Sequence, residues 1–90
     1  MNRIFESFRE VNEKISVDGK YLKFKDGSIA SLGYPEEGKL VFTDGREDFF
    51  VYKTDKDIRL EGNSFDKSFK TINDLVKYLN KNNMRYIGID

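Results

Sequence analysis

The chain has 90 residues, with 16 Lys and Arg against 16 Asp and Glu, eight Phe, five Tyr, and no His, Cys or Trp. At this length it reads as one α+β domain over 1–90 that buries about 60–65% of its unfolded surface, so most large apolar residues are needed for the core. The absent Cys and His exclude disulfides, thiolate and Ser-His-Asp nucleophiles and zinc fingers, and the charge balance excludes a long-range field favouring duplex DNA or anionic membrane.

Ile4, Phe8, Val11 and Ile15 fall at i, i+4, i+7 and i+11. That spacing predicts an amphipathic N-terminal helix over roughly residues 2–15, ended by Asp18-Gly19. Its charged residues and those of the first ten positions argue against a signal peptide or a membrane span, so the expected location is the cytoplasm.

A run of strands follows. Lys20–Lys25 and Ser28–Gly33 alternate around Asp26-Gly27, a hairpin signal because both central residues of a type I′ turn need positive φ. A two-residue turn there predicts Phe24 opposite Ile29 and Leu22 opposite Ser31. Tyr34–Gly38 is a turn around Pro35. Lys39–Thr43 and Asp48–Lys53 flank a second Asp-Gly, at 44–45. A two-residue turn at this point would set Phe42 against Glu47. A four-residue loop, Asp44–Glu47, sets Leu40 against Val51, Val41 against Phe50 and Phe42 against Phe49, and these apolar pairs favour it. Asp57–Glu61 alternates as a fifth strand, and Phe65–Phe69 is a short sixth strand or an ordered lead-in.

The second helix carries the clearest local signals. Thr71 can cap it, Asp74 lies three residues on, and Ile72, Leu75, Val76 and Leu79 form one stripe. Asn82-Asn83 suit a left-handed terminator, and Met84–Ile89 reads as a terminal strand. The expected architecture is therefore α+β: an N-terminal helix, an antiparallel meander of four to six strands, a second helix and a short last strand.

Candidate chemistry is limited to carboxylates, Lys, Tyr, Ser and Thr. Glu36-Glu37, Glu47-Asp48 and Asp55-Lys56-Asp57 sit in loops and read as solvated. The last begins like a calcium loop but lacks the Gly and the distal Glu in their places. Gly27, Gly38 and Gly45 each precede a strand, so none opens the helix N-terminus that a phosphate cradle needs. The expectation is no enzyme, no cofactor and no metal.

Strand parity sorts the side chains into two faces. Leu22, Phe24, Ile29, Leu40, Phe42, Phe49, Val51, Ile58 and Leu60 are expected in the core. The opposite set is Tyr21, Lys23, Lys25, Leu32, Lys39, Val41, Phe50, Tyr52 and Arg59, which is aromatic for a wet face. A covering helix, a curled sheet with both faces buried, a protein or homodimer interface, and a single-stranded nucleic-acid platform would each account for it. From this set, Tyr21, Lys23, Lys25, Lys39, Val41, Phe50 and Tyr52 are the candidate partner-binding residues. The function expected is a small protein-binding module: an inhibitor, antitoxin-like or accessory protein, such as a phage or other mobile element encodes, that occludes a partner's surface. Single-stranded nucleic-acid binding through the same face is the alternative, and a carboxylate-only hydrolase a fainter third.

Overall fold

The computed structural model describes residues 15–90. Among these residues eight strands form two antiparallel sheets. The first holds β1 (Ile15–Asp18), β2 (Tyr21–Phe24) and β3 (Ile29–Ser31) in chain order. The second holds β4 (Leu40–Thr43), β5 (Asp48–Lys53), β6 (Ile58–Glu61), β7 (Asp66–Phe69) and β8 (Arg85–Ile89), in the order β7-β6-β5-β4-β8. A single turn of 3-10 helix, Pro35–Glu37, lies between the sheets in sequence, and α1 (Ile72–Lys81) precedes β8.

This corrects the expected α+β plan of two helices on one meander of four to six strands: the described residues are mostly β, with α1 their one α-helix. The helix expected over 2–15 lies outside the described residues except for its last position. Ile15 instead opens β1, opposite Phe24. Ile15 and Val17 turn inward while Ser16 and Asp18 are exposed, a period of two that a four-residue strand displays only briefly. Asp18-Gly19 is likewise not a helix stop. Asp18 pairs with Tyr21, so Gly19-Lys20 is a two-residue hairpin loop. Gly19 has φ +63° and Lys20 is not in the positive-φ region, the signature of a type II′ turn.

The first Asp-Gly hairpin departs from the expected register by one residue. The Gly27 N–H donates to Phe24 O and the Phe24 N–H to Ser28 O, both at 2.9 Å, closing a three-residue loop over Lys25-Asp26-Gly27. Gly27, at φ +93°, supplies its left-handed position. Asp26 accepts from both the backbone N–H and the hydroxyl of Ser28, which holds its carboxyl below the usual range. Leu22 consequently pairs with Ala30 and Lys23 with Ile29. A one-residue slip exchanges faces: Ile29 is exposed, while Ala30 and Leu32 are buried.

At the second hairpin, Leu40, Val41, Phe42 and Thr43 face Val51, Phe50, Phe49 and Asp48 around the four-residue loop expected there. Asp44 Oδ1 accepts the backbone N–H groups of Arg46 and Glu47, an Asx turn that stabilises the longer loop and lowers the Asp44 carboxyl's pKa.

The inner faces of the two sheets share one core. Leu22, Leu40, Phe42, Val51, Leu60, Leu75 and Leu79 are its most completely enclosed side chains. Phe24 of the first sheet stacks on Tyr86 of the second (centroids 4.5 Å, planes 4° apart) and lies 6.3 Å from Phe42. Across the sheet toward β7, Phe49, Phe65, Phe69 and Tyr78 form a second aromatic group, with Lys67 over the Phe69 and Tyr78 rings. The α1 helix starts as its sequence predicts, with Thr71 Oγ1 accepting the Asp74 N–H, and Asn83 beyond its end takes φ +54°. It buries Leu75, Val76 and Leu79 and packs against β1 and β7. Its Asn80 amide makes both hydrogen bonds that a neighbouring strand would offer Ile15: Oδ1 accepts the Ile15 N–H and Nδ2 donates to the Ile15 carbonyl.

Candidate functional site

Alternation puts every second residue of the five-stranded sheet on its outer face. There Val41 lies beside Phe50 on one side and Gly88 on the other. Phe50 in turn lies beside Glu61, and Tyr52 beside Arg59. Val41, Phe50 and Tyr52 are half-buried, sheltered by these neighbours along the sheet. The helix does not cover them, because α1 lies on the inner side, where Phe69 and Phe65 meet Tyr78. Among the described residues no element lies over this face.

Polar groups frame the patch. The Tyr52 hydroxyl donates to Glu61 Oε2 at 2.6 Å, and Lys39 Nζ stands 5.0 Å from the centre of the Tyr52 ring. The bond to Glu61, then desolvation, then the nearby negative charge push the Tyr52 hydroxyl pKa up to about 12. Arg59 pairs with Asp66 on the next strand; that bond and charge raise its pKa, while its Nε lies out of solvent without a partner. Thr43, Asp48 and Arg85 continue the polar border. The tyrosine is thus held at its hydroxyl by Glu61 and met over its ring face by Lys39.

Four of the seven candidate residues, Lys39, Val41, Phe50 and Tyr52, meet on this face. The other three do not join them. Tyr21 and Lys23 point away from the core on the three-stranded sheet, and Lys25 lies in the β2–β3 loop. Leu32, also placed with the outer set by its parity, is buried. The two outer faces point to opposite sides of the shared core, so the seven residues make no single surface. Glu61 and Asp66 are participants that sequence reasoning missed. The signal in the sequence is the spacing of Arg59 and Glu61, two residues apart and so on one face of β6.

The described residues hold no cluster of three or more carboxylates able to cage a metal ion, and no helix among them is long and apolar enough to cross a membrane. Comparison with protein-family models, curated proteins and solved structures produced no match.

Proposed function

We propose that the protein is a small, non-enzymatic protein-binding module that occludes a partner's surface with the outer face of its five-stranded sheet, as an inhibitor or antitoxin-like accessory protein does. The observation that carries this reading is the patch of Val41, Phe50 and Tyr52, which no element among the described residues covers, with charges of both signs at its border. Apolar patches rimmed by polar groups mark contact surfaces, and aromatic residues dominate their energetics. The mixed rim of Lys39, Arg59, Glu61 and Asp66 suits a protein partner with its own mixed rim. It suits a polyanion poorly, since the acids oppose phosphates, Tyr21 and Lys23 lie on the other sheet and Lys25 lies in its β2–β3 loop.

The test compares affinity capture from the native cell, with mass spectrometry, for the wild-type chain and the Phe50→Ser/Tyr52→Ser double variant. A partner retained by the wild type and lost by a folded variant supports the reading. Undiminished capture by the variant removes it.

A further inference from the structure

The five-stranded sheet has two unlike edges. On β7, Asp66, Lys67 and Ser68 are exposed, and charged residues of this kind discourage a further strand from adding. On β8, Arg85-Tyr-Ile-Gly-Ile89, Ile87 is 50% and Ile89 67% exposed. Among the described residues no strand pairs with the outer side of β8, and the β2–β3 loop shares a cavity with its first residues, Arg85 and Tyr86.

Its backbone is set for pairing. The Lys39 N–H donates to Asp90 O, and the Asp90 N–H donates to Lys39 O at 2.8 Å. In an antiparallel ladder the residue next to such a doubly bonded pair points both backbone groups the other way, so the N–H and C=O of Ile89 face outward. A bulge lies between: Val41 faces Gly88 and Phe42 faces Tyr86, leaving Ile87 as the extra residue. Positions 85 and 90 would fall on opposite faces of a regular strand. The bulge restores parity, so Arg85 (opposite Thr43) and Asp90 (opposite Lys39) both lie on the outer face. Tyr86 and Ile89, opposite Phe42 and Leu40, both lie on the inner one.

We propose that β8 is a self-association edge. Two copies align β8 with β8, antiparallel, about a two-fold axis that passes through the bulge perpendicular to the sheet. Arg85 then stands opposite Asp90 of the second copy, and Tyr86 opposite Ile89 of the second copy. The two-fold repeats each pair, giving two ion pairs of opposite charge on one face and two apolar contacts on the other. The outward backbone groups of Ile89 find partners, and its exposed side chain is covered. The Val41–Phe50–Tyr52 patch takes no part, so this inference stands or falls separately from the proposed binding face.

Sedimentation equilibrium of the full chain tests it, with a dimer of the 10.6 kDa chain expected. Arg85→Asp, which sets like charges opposite each other twice, weakens association roughly tenfold or more, and Arg85→Asp/Asp90→Arg restores it. Ile89→Pro removes an N–H that points away from β4 and serves no bond among the described residues, so it abolishes the dimer while circular dichroism shows the fold intact. Since the chain has no cysteine, mild oxidation of Arg85→Cys/Asp90→Cys locks the dimer covalently in this register. A chain that stays monomeric at roughly 1 mM overturns the proposal. So does a dimer that is indifferent to Arg85→Asp, or one that the double exchange does not restore.

Discussion

The two faces of the β4–β5 hairpin are built from alternate residues of the same two strands, yet they meet opposite fates. On the inside, Leu40, Phe42, Phe49 and Val51 close against the first sheet and the helix. On the outside, Val41, Phe50 and Tyr52 have similar bulk and aromatic character, but among the described residues only their neighbours along the sheet shelter them. Residue type therefore does not distinguish core from surface here. What distinguishes them is whether another layer exists on that side.

Truncating one phenylalanine on each face separates the two environments. Phe42→Ala removes a fully enclosed ring that touches Phe24 and Tyr86, so it should cost about 3–5 kcal/mol in chemical denaturation. Phe50→Ala, half-buried and facing nothing described, should cost about 1 kcal/mol in the same assay. Equal losses would mean that a further layer covers the outer face, and the proposed binding surface would fail with them.

A smaller effect sharpens the polar side of the comparison. Tyr52→Phe deletes the hydroxyl bond to Glu61 and should cost about 1 kcal/mol or less at neutral pH. The accompanying titration has a definite sign. Folding raises the pKa of this hydroxyl from 10.0 to about 12, so its contribution is complete below pH 10 and is lost as pH rises through about 12. Ultraviolet titration of the folded chain should show Tyr52 ionising above the ordinary value of 10.0. Glu61→Gln should bring the Tyr52 ionisation back toward that value; a titration unchanged by Glu61→Gln would show that burial, not the hydrogen bond, controls it.

Much of this arrangement is written in local chemistry. The Thr71 cap, the left-handed Asn83 and the β4–β5 register were legible because each follows from one residue type or from one set of apolar pairs. The first hairpin was misread because Asp-Gly serves both a two-residue and a three-residue loop. No large apolar pair on β2 and β3 penalised the wrong choice; Leu22 opposite Ala30 looks no better than Phe24 opposite Ile29. β1 was hidden because Ile15 fits a helical stripe as well as a four-residue alternation, and only the distant Asn80 amide and Phe24 decide between them. Parity puts Val41, Phe50 and Tyr52 on one face, as the β4–β5 register does, but it also groups Tyr21 and Lys23 with them although β2 belongs to the other sheet. Parity tells which side of a sheet a residue takes, but it is silent about which sheet the strand joins.

The Asn80–Ile15 contact also sets an order of events. Its two hydrogen bonds span 65 residues of chain. On the ribosome, the β1–β2–β3 hairpins can form soon after they emerge, but the edge of β1 waits until α1 has been synthesised and docked. Contacts of such long sequence separation slow folding, because the loop between their ends must be ordered before they form. The first sheet to be made is thus among the last to be sealed.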